Sequence, residues 1–190
     1  MYEDFPLPKI TQNQVQILDM NPLARKDILE VINTLEGIRV DGKVVRYEFV
    51  CGIDFRFLTQ DIADAMKRCR FVRPRLAWDG SFSDQYKIKD AVEVFIKAGY
   101  SREDLMIFML VNWRIPFKEC LRKLELMKVW GVKVCDCCYD GGYKVAVPEH
   151  WSQEEINAIR RICRKHNQLV LFGIDPQATI NHLEVLSVRE

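Results

Sequence analysis

Three cysteines fall within four positions of "VKVCDCCYDGG", residues 132–142: Cys135, Cys137 and Cys138. Thiolates at this density are the usual ligands of soft metal ions and iron–sulfur clusters. Strand geometry limits what the trio can do. Side chains alternate between the two faces of a strand. Cys135 and Cys137 therefore share a face with Tyr139, and Cys138 shares the other with Val134 and Asp136. Three thiolates so placed do not converge on one metal, and the trio reads as small buried residues in a central parallel strand. Cys163 and His166 stand at i and i+3 of a helix-period segment and offer two corners of a zinc site. Zinc takes four, and Cys163 already fits the apolar stripe of that segment, so core packing is the favoured reading. A Cys–His nucleophile would need His150, His166 or His182, all late in the chain, and no spacing supports it.

A more regular chemistry follows the apolar runs. Five occur: "VQILDM" from Val15, "RYEFVCG" from Arg46, "PRLAWD" from Pro74, "LMIFMLVN" from Leu105 and "VKVCDCCY" from Val132. Polar residues close each one: Asp19 and Asn21; Asp54 and Arg56; Asp79; Asn112; Tyr139 and Asp140. Any one of these also suits a turn or a helix cap, so the repeated pattern carries the functional reading. Asp54 and Arg56 lie two apart and would point the same way in extended backbone. A carboxylate and a guanidinium on one lip suit a ligand carrying both amino and carboxylate groups.

The elements that would position these residues alternate. Runs this short and continuously apolar read as strands covered on both faces. Between them lie helix-period segments: Ile28 to Leu35 before Gly37; Thr59 through Cys69; Ile88 to Phe95 before Gly99; Pro116, a good first helical residue, through Leu124 to Gly131; and "SQEE", whose Ser152 and Glu155 form a capping box ahead of Ile156, Ile159 and Ile162. Strand starts recur roughly every 30 residues, the length of a strand–helix unit. Strict alternation implies parallel strands with right-handed crossovers. The expected fold is α/β, a partial (β/α) barrel or open parallel sheet of about five to six units. "LVLFG", residues 169–173, suits either a sixth strand or the end of the last helix. Residues 1–14 read as an N-terminal segment, 15–175 as one domain and 176–190 as a tail. In such folds ligands bind at the carboxyl ends of the strands, where the polar residues sit.

Totals narrow the class. The chain has 190 residues, with Lys+Arg 28 against Asp+Glu 27, 48% apolar and 29% charged. There is no global basic field, so nucleic acid is not an expected partner. The basic stretches "MKRCRFVRPR" and "RRICRKH" read as solvated helix faces, since no aromatic interleaving suggests base stacking. No apolar run reaches the ~18 residues of a membrane span. "MYEDFPLPKI" lacks the basic-then-apolar pattern of a secretion signal. Seven irregularly spaced cysteines point to a reducing, cytoplasmic setting.

The strand ends resemble a known family. "ILDMNPLA", "VCGIDFRFLTQDIADAMKRCR", "PRLAWD" and "FMLVNW" are similar to the barrel of radical S-adenosylmethionine (radical SAM) proteins, over about residues 15–140. The resemblance is to the branch with "LDNN"-, "nGlDiR.l"-, "AfD"- and "vLvN"-like strand ends. It implies a truncated radical SAM-type TIM barrel. Its complete form would bind a [4Fe–4S] cluster and S-adenosylmethionine and generate a 5′-deoxyadenosyl radical. The resemblance places Asp19 and Asn21 at the methionine amino group, and Asp54, Arg56, Asp79 and Asn112 at ribose and carboxylate. Tyr139 and Asp140 add one more polar lip. The family's C-x-x-x-C-x-x-C cluster loop does not occur here. The expectation is therefore a fragment or cluster-less relative with no metal site of its own, inactive as this chain and weak in S-adenosylmethionine binding. The alternative is a non-catalytic α/β module that uses the same strand ends to hold a ligand or partner. A barrel lacking its first strand leaves a sheet edge open, so self-association, or coverage by residues 1–14, is expected.

Overall fold

A computed structural model describes residues 9–139 and 150–173. Asp140, Gly141, Gly142, His182 and the proposed tail lie outside the described residues, as does most of the N-terminal segment. The architecture is mixed α/β, with parallel strand pairs, five α-helices among the described residues and no closed barrel. No described helix is long and apolar enough to cross a membrane. The chain divides into two compact units. One comprises the described part of Met1–Ala77 with Tyr86–Leu105; the other comprises Trp78–Gln85 with the described part of Met106–Glu190.

The first unit opens with β1 (Gln14–Ile17), α1 (Ile28–Thr34) and a short hairpin, β2 (Arg39–Val40) and β3 (Lys43–Val44). The hairpin turns at Asp41 and Gly42, both at positive φ (50° and 73°). Asp-Gly favours that tight turn, and "VDGK" carried the signal for it. Next come β4 (Arg46–Phe49), α2 (Gln60–Arg68), β5 (Arg75–Trp78), whose last residue opens the second unit, and α3 (Gln85–Lys97). β1 and β4 pair in parallel, Gln14 opposite Arg46 through Ile17 opposite Phe49. On its other side β4 meets the chain leaving α2: Tyr47 N–H donates to Arg70 O (3.2 Å), and Val72 N–H donates to Tyr47 O (2.8 Å). Thr59 caps α2 by accepting from the Ile62 N–H at 3.3 Å. That helix buries Ile62, Ala63, Ala65 and Met66. Phe71 packs between the rings of Tyr47 (5.4 Å) and Phe49 (4.7 Å). Burial of an aromatic or branched side chain of this size stabilises by about 1.5–3 kcal/mol, so this cluster outweighs any single cap.

The second unit contains β6 (Met106–Val111), α4 (Phe117–Trp130), β7 (Lys133–Cys138) and α5 (Gln153–Leu171). β6 and β7 pair in parallel, Met106 opposite Lys133 through Val111 opposite Cys138. Ile107, Met109, Val111 and Val134 are buried. On the alternate positions Phe108, Leu110, Cys135 and Cys137 are half-buried. Cys135 and Cys137 are thus not sealed in a core as expected, because their face of this ribbon is only partly covered among the described residues, and Cys138, on the other face, is half-buried as the last residue of β7. Pro116 stands as the N-cap of α4, one residue before the helix proper, and Gly131 ends it at φ 68°. Ser152 and Glu155 form the expected capping box, with Ser152 Oγ accepting at 3.1 Å and Glu155 Oε2 at 2.8 Å. Residues 169–171 are the last of α5, and Gly173 (φ 61°) follows its C-cap, so "LVLFG" is a helix end. Asn167 on α5 accepts from Val134 N–H (2.8 Å) and donates to Val134 O (2.7 Å). One side-chain amide there takes the place of a neighbouring strand.

Candidate functional site

The sequence-predicted residues divide between the units. In the first, Asp19 accepts from the Asn21 N–H at 2.9 Å and so fixes the turn that leaves β1. Asn21 Oδ1 is buried and has no hydrogen-bond donor among the described residues. An unsatisfied buried acceptor costs about 1–3 kcal/mol, so such an atom calls for an explanation. Beside it, Leu18 and Met20 are 79% and 81% exposed. The Met20 sulfur lies 3.9 Å from Cys51 Sγ. The carboxyl end of β1 therefore presents apolar side chains to the open, next to a buried acceptor in need of a donor.

Asp54 and Arg56 engage each other. Arg56 Nε donates to Oδ1 at 2.9 Å and Nη2 to Oδ2 at 2.6 Å, while the Arg56 N–H donates to Oδ1 at 3.0 Å. Asp54 is also the N-cap of a one-turn 3-10 helix, Phe55–Phe57. The guanidinium holds the Asp54 carboxyl below its ordinary value, against a smaller opposing effect of burial. The pair is a paired lip whose guanidinium side chain is 72% exposed, not two free arms.

In the second unit the β5 end is built around a buried cation. Lys123 is fully buried in α4 and donates to Gly80 O at 2.6 Å, with Trp78 O at 3.5 Å. Its ammonium lies 5.1 Å from the centroid of the Trp78 ring. Desolvation lowers its pKa, and the charges of Cys120, Glu119, Asp79 and Asp84 oppose that shift. Glu119 accepts from the Phe82 N–H at 2.6 Å. A side chain at Gly80 would meet the Asp84 carboxylate at 2.5 Å. Asp79 itself is exposed.

Asn112, at φ 57°, is buried at the end of β6. Its Nδ2 donates to Tyr139 O (2.7 Å), and its Oδ1 accepts from His150 N–H and Trp151 N–H (3.1 Å each). This side chain serves the backbone of β7's end and of the approach to α5. The Trp113 ring meets Tyr139 edge-on at 4.3 Å and His150 at 6.1 Å, with the Arg114 guanidinium 5.6 Å from its centroid.

Glu48 and Lys123 are among the buried charged positions that escaped the sequence reading. Glu48 in β4 pairs with Arg75 and with Arg73 (3.1 Å). A carboxylate inside the otherwise apolar "RYEFV" run was its signal. Lys123 interrupts the Cys120–Leu124–Met127 stripe of α4, and that interruption was the signal there.

Among the described residues no group of three or more Cys, His, Asp or Glu side chains is arranged to hold a metal ion. Cys135 and Cys137 share a face of β7, Cys138 takes the other, and Cys69, Cys120 and Cys163 are buried. His166 is buried with Nε2 hydrogen-bonded to Val132 O at 2.7 Å, which satisfies it as a core residue. The described residues do not fit a [4Fe–4S] cluster, which needs converging thiolates. No protein-family model matches the chain, and no curated protein matches it.

Proposed function

We propose that this chain supplies strand-end ligand contacts of the radical SAM type, with the end of β1 receiving the amino group of S-adenosylmethionine or of a similar amino acid. The observation that carries the reading is the buried, donorless Asn21 Oδ1. An ammonium brings N–H donors and positive charge, and both suit a buried amide oxygen. Asp19, whose Oδ1 fixes the turn, adds negative charge at the same place. The motifs at the ends of β1, β4, β5 and β6 and the parallel strand order support the reading. The exposed Leu18 and Met20 offer apolar surface for an aliphatic chain. No catalytic step is assigned to the described residues, because they do not fit the cluster that would drive one. The partial-barrel architecture belongs to the same proposal.

Titration of the 15N-labelled chain with S-adenosylmethionine tests it. Millimolar ligand should shift the Asn21 side-chain amide and the backbone amides of residues 18–21, and Asn21→Leu should abolish those shifts. Unshifted Asn21 resonances at saturating ligand would sink the proposal. Micromolar affinity would refute the expectation of weak binding by this chain. The Asn21→Leu protein should also be more stable by about 1 kcal/mol without ligand, since the substitution removes the unsatisfied acceptor.

A further inference from the structure

The first unit carries a pocket that shares no residue with the end of β1. It lies where the chain leaving α1, the β2–β3 hairpin and the chain leaving α2 come together. Its lining includes the buried Leu35, Val45 and Cys69 and three arginines, Arg39, Arg68 and Arg70. Arg68 is fixed by α1 and its end: Nη2 donates to Asn33 Oδ1 at 2.7 Å and Nε to Glu36 Oε2 at 3.2 Å. Arg39 is fixed by the hairpin, where Nη1 donates to Gly42 O at 3.1 Å. Arg70 is exposed, and its guanidinium has no partner among the described residues. Arg70 also holds a position that glycine usually fills. Its N–H donates to Lys67 O (3.1 Å) and the Phe71 N–H to Met66 O (2.9 Å), which closes α2 as a Schellman motif. The residue after the C-cap is then left-handed, here at φ 64°, a conformation that strains an arginine and not a glycine. Strain of this kind gathers at ligand sites.

We infer that this pocket binds a phosphoryl group, carried by a small phosphate monoester or by inorganic phosphate. Three guanidiniums stand there against one engaged carboxylate, Glu36. Arg39 and Arg70 have no carboxylate partner among the described residues, so the site carries excess positive charge. Guanidinium forks match phosphate oxygens in charge and in geometry. Gly37 and Ile38 also line the pocket, and their N–H groups have no acceptor among the described residues. They add uncharged donors of the kind that cradle anions. Size narrows the choice of anion. The cavity measures about 50 Å³. At about 10–15 Å³ per water-sized group, it has room for roughly three to five. A phosphoryl group brings four oxygens, whereas a carboxylate brings two and leaves the cavity underfilled. The buried floor of Leu35, Val45 and Cys69 keeps water from screening the charges on that side. Burial, and then the Glu36 charge, hold the Cys69 thiol above its ordinary pKa, so no thiolate repels the ligand. This site is independent of the proposed ligand contact at β1, and either can fail alone.

The test is titration of the 15N-labelled full chain with inorganic phosphate and with glycerol 3-phosphate, at fixed ionic strength balanced by chloride. Both should shift the backbone amides of Gly37, Ile38, Cys69 and Arg70 saturably at millimolar concentrations, and chloride should not. Tighter binding of glycerol 3-phosphate would assign the site to an esterified phosphate, and tighter binding of inorganic phosphate to the free anion; both results support the inference. Arg39→Gln and Arg70→Gly should each weaken binding at least roughly 10-fold, the loss of one charge-assisted hydrogen bond. Arg46→Gln, an exposed arginine outside the pocket, should leave binding unchanged. Arg70→Gly also relieves the left-handed backbone, so its melting temperature should match or exceed that of the parent. That variant separates loss of the guanidinium from loss of the fold. Phosphate shifts no larger than those of chloride, saturable shifts confined to other residues, or full binding by folded Arg70→Gly protein would overturn the inference.

Discussion

Three buried polar side chains show how single residues hold the second unit together. Asn112 uses its amide on three backbone groups at once, and its left-handed φ of 57° is one that Asn tolerates better than most residues. Lys123 gives its ammonium to the carbonyls of the β5 turn. His166 hydrogen-bonds Val132 O, and burial lowers its pKa from the ordinary 6.5, partly offset by that bond. The direction fixes a pH dependence. Just below pH 6.5 the unfolded chain binds a proton that folded His166 refuses, so stability is full above 6.5 and falls as pH drops toward the folded pKa. The slope from one such group is at most about 1.4 kcal/mol per pH unit. Thermal melts between pH 5 and 7 should show this decline, and His166→Gln should flatten it. An equal slope in the variant would assign the decline to other groups.

Among the elements, β7 depends most on its neighbours. β6 pairs with one of its sides, and on the other Asn167 of α5 satisfies Val134 through both backbone groups. Open edges invite pairing with other chains, and this side chain closes part of one. Asn167→Ala should cost about 1–3 kcal/mol, the penalty for stranding buried backbone groups, and should raise aggregation on mild heating. A melting temperature within a degree of the parent would show that water serves Val134 equally well. The element pattern was legible because it is local: apolar runs, Thr59, the Ser152–Glu155 box and Gly131 each act within a few residues. The β2–β3 hairpin was missed because two-residue strands leave almost no periodicity, although Asp41 and Gly42 marked its turn.

For the whole molecule, charge balance is the property that acts on every surface. Lys+Arg 28 against Asp+Glu 27 gives a net charge of +1 and a pI near 7.6. Little electrostatic repulsion separates copies of the chain near that pH. Among the described residues β1 has a strand partner on one side, β4. Both facts predict concentration-dependent association that peaks near pH 7.6 and weakens by pH 9. Sedimentation velocity at several concentrations checks it, and a single monomeric species at pH 7.6 would refute it.

Alternation of strands and helices, the strand-end position of Asp19, Asn21, Asp79 and Asn112, and the split of the cysteine trio between two faces were all determined by the sequence alone. Each depends on periodicity and short-range sterics, which the chain carries residue by residue. Tertiary structure alone decided what those side chains do. It turned Asn112 inward to the backbone and buried Lys123 beneath the β5 turn. It left Asn21 Oδ1 without a donor and the Cys135–Cys137 face half open. Hydrogen-bond satisfaction and burial are set by partners distant in sequence, so no local pattern specifies which polar group is spent on the fold and which remains for a ligand.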